Sequence, residues 1–179
     1  MTVTAGGAVL HAVPAGAQTV SESAARLTAV SSTAKAATAK SAKSAKTVRS
    51  AKSAKAARQA SKARRAVAVA KHQVGDPYRY GATGPGAFDC SGLVQYAWKK
   101  AGVRLPRVTN SQFARIKRKV SWRNLKPGDL MFFNGLGHVG MYVGHGKMVH
   151  SPRTGERVRI DKLGGWRKSS FVGAVRPGA

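Results

Sequence analysis

The sequence predicts an α+β domain, with N-terminal helices packed on an antiparallel β-sheet, preceded by a disordered basic segment. Three observations carry that prediction. From about Ala66 onward, apolar residues first recur at helical spacing and only later fall into short strand-like runs. The links between those runs are too short for the crossovers that parallel strands need. Upstream, residues 31–65 are almost wholly Ala, Ser, Thr, Lys and Arg, with no aromatic residue and no acid, and cannot bury enough apolar surface to offset the entropy of ordering.

Taken in chain order, residues 1–20 are small and apolar, and "AGAQ" at Ala15–Gln18 has the small-x-small spacing of a secretory cleavage site. No basic residues precede it, so an incomplete leader and an alanine-rich tail both stand. Residues 21–65 read as a linker, disordered or transiently helical. Within it "SAKSAK" occurs twice, and Lys40, Lys43, Lys46, Arg49, Lys52, Lys55 and Arg58 recur every third residue. That period walks the charges around a helix rather than collecting them on one face, so no amphipathic membrane helix results. A solubilising spacer and an electrostatic tether are equally open.

Residues 66–179 form the folded domain. "AVAVAKHQVG" predicts a short helix ending at Gly75, and "GDPYRYGATGPGAFD" is a loop by its Gly and Pro content. "CSGLVQYAWKKAG" predicts a helix closed by Gly102, with Cys90 in its first turn. "VTNSQFARI" supplies a further turn or two, capped by Thr109 or Asn110. "KPGDLMFFN" runs from a turn into a strand, "GHVGMYVG" and "KMVHS" form a hairpin around "GHG", and "RVRI" and "FVGAV" are further strands.

Composition limits the function. The 32 Lys and Arg against 6 Asp and Glu give a formal charge of +26 over 179 residues, which points to polyanions or to surfaces rich in carboxylate or phosphate. One cysteine makes no internal disulfide, and no stretch approaches the ~18 apolar residues of a membrane-spanning helix.

The chemistry centres on Cys90. Free amide N–H groups at a helix start favour thiolate, and a nearby imidazole can hold the proton. A lone cysteine is otherwise a buried inert thiol. Of the five histidines, His138 and His150 sit inside apolar strands. With Gly144, His145 and Gly146 as the turn, Val143 pairs with Lys147 and Gly140 stands opposite His150. His138 then shares a face with Gly140 and lies diagonal to His150. A loop with an even number of residues would put the two rings on opposite faces. Cys90 as nucleophile, His138 as base and His150 as the group orienting its ring make a thiol triad.

"PYRYGATGPGAFDCSGLV", "LPRVTNSQF", "LKPGDLMFF", "GHVGMYVG" and "MVHS", in this order, resemble the NlpC/p60 family of bacterial cell-wall cysteine peptidases. The resemblance covers about Ala66 to Pro177. It implies a papain-like fold and hydrolysis of peptidoglycan stem peptides, commonly between γ-D-glutamate and diaminopimelate, by Cys90, His138 and His150 without metal or cofactor. It also implies that Tyr78 lies near the oxyanion and that Asp89 and Ser91 contact the stem peptide. Secretion to the wall follows, and the basic linker then has anionic wall polymers as partners.

Two other readings compete. The Ala-Lys-Ser tail resembles that of a linker histone, and its charge would bind nucleic acid without sequence preference. The same triad also serves amidases and acyl transfer. Asp129 reads as a turn residue, and Trp98, Trp122 and Trp166 as core or groove walls.

Overall fold

The computed structural model describes residues 24–179, with side chains from residue 47 on. The chain divides into two units, Met1–Val48 and Arg49–Ala179. The leader expected over 1–20 lies outside the described residues. Helix α1 spans Ala24–Lys71, and residues 24–65 of the expected linker lie within it. Alanine and lysine both favour helix, so the short helix read upstream of Gly75 is the end of a longer one.

In the second unit, the three-residue cation period stops at Arg58. A buried stripe then begins, with Ala63, Ala66, Val67 and Ala70 at i, i+3, i+4 and i+7. Just before it, Gln59 Nε2 donates to the Pro177 carbonyl over 3.0 Å. The stripe therefore joins the core three residues ahead of Ala66.

Helix α2, Cys90–Lys100, buries Leu93, Val94, Ala97 and Trp98. Gly102 ends it as expected: the Gly102 N–H reaches Lys99 O and the Val103 N–H reaches Trp98 O, the paired bonds of a Schellman cap. Helix α3, Thr109–Arg115, departs from expectation at its start. Its N-cap is Val108, with no side-chain cap bond, so Thr109 and Asn110 lie inside the first turn. Gln112 of this helix is fully buried and donates to Ser91 O and Pro106 O, which anchors α3 to the start of α2.

Six strands follow: β1 (Lys119–Val120), β2 (Leu130–Phe133), β3 (His138–Gly144), β4 (Lys147–His150), β5 (Arg159–Lys162) and β6 (Phe171–Val175). They make one antiparallel sheet in the order β1-β6-β2-β3-β4-β5. This is the predicted α+β architecture. Strand β1, the 3-10 turn Trp122–Asn124 and helix α4 (Gly165–Ser169) are additions too short for periodicity to reveal. Strand β2 is buried on both faces. Leu130 and Phe132 join the helix-side core with Trp98, Val139, Met141 and Val149, while Met131 and Phe133 pack with Met148 and Ala174 on the other side.

The β3–β4 hairpin differs from the expected one at its tip. Gly144 pairs with Lys147 across a two-residue loop, and Val143 has no partner on β4 because the register shifts between Tyr142 and Gly144. That extra residue restores the count, so Met141 pairs with Val149 and Tyr142 with Met148 as an odd-length loop would give. An even loop plus a bulge thus leaves His138 and His150 on one face. Gly140 packs closely against β4 on that face, where a Cβ would come within 2.8 Å of Met148 Sδ and 3.3 Å of His150 Cβ.

Asp129 is wholly buried and holds a bidentate pair with Arg176, at 2.8 and 2.7 Å, while its Oδ2 accepts from the Lys126 N–H. Arg176 also donates to Asn124 O. The pair ties the turn before β2 to the end of β6. Arg176→Met strands a buried carboxylate, so chemical denaturation should show a loss of about 3–5 kcal/mol. A loss below ~1 kcal/mol would show that the pair is not needed to hold the sheet together.

Candidate active site

Cys90 opens α2, and Asp89 is the N-cap, its Oδ1 accepting from the Gly92 N–H at 2.7 Å. Gly92 permits the close approach of the preceding loop, because a Cβ at that position would lie 2.1 Å from Ala82 O. The thiol faces backbone N–H groups of Val139, Ser91 and Cys90 itself, all of which favour thiolate. Burial outweighs them and pushes the thiol above its usual value, helped by the neighbouring Asp89 charge. Cys90 thus meets β3 at the residue after His138.

His138 Nε2 lies 2.9 Å from His150 Nδ1, and His150 Nε2 lies 2.9 Å from Asp161 Oδ2. A carboxylate only accepts, so His150 Nε2 carries the proton and its Nδ1 receives the His138 Nε2–H. His138 Nδ1 is left with a lone pair, the form a general base needs. Burial, then His150 and Arg167, push His138 down to about 3, and burial likewise lowers His150 against the pull of Asp161. The resting pair is therefore thiol and neutral imidazole. This departs from the expectation that the helix start would favour thiolate, and the reason is desolvation.

Asp161 is absent from the sequence reading, which ended the strand at Ile160. Strand β5 continues to Lys162, and pairing His150 with Arg159 sets Asp161 two residues along, on the same face as His150. Asp161 also pairs with Arg159 and with the buried guanidinium of Arg167. Burial alone would raise this carboxyl, but the bonds and charges from His150, Arg159 and Arg167 hold it below the usual range. Its signal in the sequence was alternation across "RVRID".

Tyr78, Asp89, Cys90 and Ser91 border one cavity of about 500 Å³, together with Tyr80, Arg107 and Gly137. Tyr78 sits within electrostatic reach of Cys90; burial, followed by the Cys90 and Asp89 charges, raises its hydroxyl. Tyr80, two residues on, is 88% exposed. Both Asp89 oxygens are committed, Oδ2 to the Gly81 N–H at 3.0 Å and both to the guanidinium of Arg107, which also donates to Ser91 Oγ at 2.8 Å. Burial of Asp89 is outweighed by these bonds, and its carboxyl is held low. Arg107 is thus the cation presented to this cavity. His138 and His150 border a second cavity, of about 390 Å³, that shares Gly137 with the first. No group of three or more His, Cys, Asp or Glu able to hold a metal occurs among the described residues.

Residues 75–176 match the NlpC/P60 family. Over 107 residues the chain is 42% identical to the "Probable endopeptidase p60" of Listeria monocytogenes, covering 57% of this chain and 22% of that protein. Over 114 residues it is 44% identical to "Murein DD-endopeptidase MepH" of Escherichia coli, covering 58% of this chain and 42% of that one. The crystal structure of an NlpC/P60 family protein from Bacillus cereus superposes with a TM-score of 0.60 at 34% identity, covering 64% of this chain and 39% of the other. The chain thus spans less than half the length of these curated relatives.

The histidine geometry has a consequence for stability. Between pH 6.5, the ordinary imidazole value, and about 3, the unfolded chain binds a proton at His138 that the folded one does not. Stability therefore falls as pH drops through that window. Urea titrations of the native protein and of His138→Gln should show the difference between them shrinking from pH 7 to pH 3. Parallel curves would show that His138 is not held neutral.

Proposed function

The chain belongs to the NlpC/P60 family, and we propose that it is a cysteine endopeptidase of the bacterial wall, hydrolysing peptide bonds of peptidoglycan stem peptides. The observation that carries this reading is the Cys90 thiol at a helix start, against the Val139 N–H, with the bonded series His138, His150 and Asp161 beginning one residue away. The endopeptidase names of both relatives support the reaction class, and the murein named for MepH supports the substrate class.

In this mechanism His138 Nδ1 takes the thiol proton as Sγ attacks the carbonyl carbon. The oxyanion faces the Cys90 N–H and the Tyr78 hydroxyl. As the tetrahedral intermediate collapses, the C–N bond breaks and His138 gives its proton to the leaving amine. Water then attacks the thioester, losing a proton to His138, and releases the acid and the thiol. His150 holds the His138 ring and Asp161 holds His150. Asp89 and Ser91 border the acyl side and set the guanidinium of Arg107. The bond is that between γ-D-glutamate and diaminopimelate. A γ-linked glutamate keeps its α-carboxylate free, and Arg107 is the group to pair it.

A second reading, cleavage of a DD cross-link, has in its favour the 44% identity to MepH. Amidase or acyl-transfer chemistry uses the same residues. Action on this substrate places the protein outside the cell, in or on the wall. Residues 21–65 then serve as a tether to anionic wall polymers, and any nucleic acid binding is non-specific.

Mass spectrometry of peptidoglycan fragments tests the reaction. The intact protein should create new amine and carboxyl ends at γ-D-glutamyl-diaminopimelate, Cys90→Ala none, and His138→Ala about 10²–10⁴-fold fewer. Ends at D-alanine would favour the cross-link reading, and no new ends from intact protein would overturn both. For Asp161→Asn, which acts through His150, kcat should fall with KM nearly kept.

Deletion of residues 31–48, which spares Gln59 and the buried stripe, tests the tether. Sacculus binding should weaken at low salt, with the difference vanishing at high salt. Equal binding at low salt would rule the tether out.

A further inference from the structure

Arg107 stands in the stretch between α2 and α3, outside any helix or strand. Neither a ladder nor a helical turn places its backbone, so the bonds made by its neighbours do. The two carbonyls that precede it are each held by a glutamine. Gln95, on α2, donates from Nε2 to Leu105 O over 2.9 Å, and Gln112, on α3, donates from Nε2 to Pro106 O over 2.9 Å. Gln112 Nε2 also donates to the carbonyl of Ser91, the residue after Cys90, at 3.1 Å. One buried carboxamide thus spans the start of α2 and the residue before Arg107. That choice of side chain has a cost. Gln112 is fully buried, and its Oε1 has no hydrogen-bond partner among the described residues. An unpaired buried acceptor is unfavourable, and methionine would fill a similar volume without one. Turning the amide over would set Oε1 against two carbonyl oxygens, so its orientation is fixed. What glutamine supplies is two donors on one nitrogen, aimed at two carbonyls.

Resting on the proposed pairing of Arg107 with a carboxylate of the acyl group, we propose that Gln95 and Gln112 are positioning residues, a clamp that holds Arg107 where it makes Cys90 prefer an anionic acyl group. The guanidinium lies within electrostatic reach of Cys90, and the two residues border the same cavity. Asp89 and Ser91 fix the guanidinium at its far end. The side chain is 34% exposed, so packing alone does not hold the rest of it. Its near end is set by the backbone that the two glutamines grip. A misplacement of about 1 Å is enough to lose much of what an oriented charge contributes. Gln112 bonds both sides of the relation, the first turn that carries the thiol and the segment that carries the cation, and Gln95 repeats the second hold from α2 itself.

Iodoacetate and iodoacetamide test the clamp without any wall substrate. The reagents differ as carboxylate and carboxamide, and Cys90 is the chain's one cysteine. Both react through the same thiolate, so the thiolate fraction cancels in the ratio of their rates. In the full-length protein that ratio, iodoacetate over iodoacetamide, should exceed the value for free cysteine at the same pH, and Arg107→Met should remove the excess. Gln112→Met should lower the ratio about fivefold or more through the iodoacetate rate, and Gln95→Met should lower it in the same direction. Circular dichroism checks the fold, and Gln95→Met, at a half-buried position, carries the test if Gln112→Met does not fold. Wild-type ratios in the glutamine variants, or an equal loss of both rates, would overturn the clamp while the reaction stands. A wild-type ratio no higher than that of free cysteine would overturn the role of Arg107 and the clamp with it. If Cys90 reacts with neither reagent, the clamp fails and the proposed reaction loses its nucleophile.

Discussion

A strand that slips by one residue turns every side chain to its other face, so the hydrogen bond from His138 to His150 exists only while Val143 stays bulged out of the ladder with β4. From that register the rest of the site follows. Gly140 leaves room for Met148 and the His150 Cβ, β5 pairs in step with β4, and Asp161 arrives beside His150. The His138 lone pair is in turn a result of the Asp161 carboxylate two bonds away. A hairpin tip on the surface thus sets the tautomer of a partly buried ring.

The few acids of the chain are used with economy. Against 32 cations it has 6 Asp and Glu, and four of the five among the described residues are paired with arginine. Asp129 with Arg176 closes the sheet, Asp89 with Arg107 caps α2 and arms the cavity beside Cys90, and Glu156 and Asp161 share Arg153, Arg159 and Arg167 along the other cavity. In a strongly basic protein an unpaired carboxylate would be drawn to whichever cation lay nearest. Bidentate or shared pairing fixes its direction, and that direction is what the site requires.

How much of this was legible depended on the range of the interactions. Helix α2 announces itself through period and a terminal glycine, and the strands through short apolar runs, because both signals are local. The relation of His138 to His150 could be worked out since one short turn joins their strands, although the route to it, a bulge with an even loop, was not the one expected. Asp161 and Arg107 were harder. The role of Asp161 rests on pairing between β4 and β5, and Arg107 reaches back 18 residues to Asp89 from a loop with no period at all. The Val108 cap of α3 ran against side-chain preference because burial of Gln112 outweighs the missing bond.

Burial raises the Cys90 thiol and lowers both imidazoles, so separated charge is disfavoured at the site. Amide N–H groups at the start of α2 and on β3 oppose this without prevailing. Charge is then best accommodated when a substrate carbonyl is present to receive it. In the proposed reaction the electron pair passes from sulphur to an oxyanion facing fixed dipoles, and the proton passes to a ring whose far nitrogen is already bonded through His150 to a carboxylate. A thiol kept protonated until that moment is a poor target for solvent oxidants and electrophiles. For the chain's lone cysteine, the desolvation that slows its ionisation also preserves it.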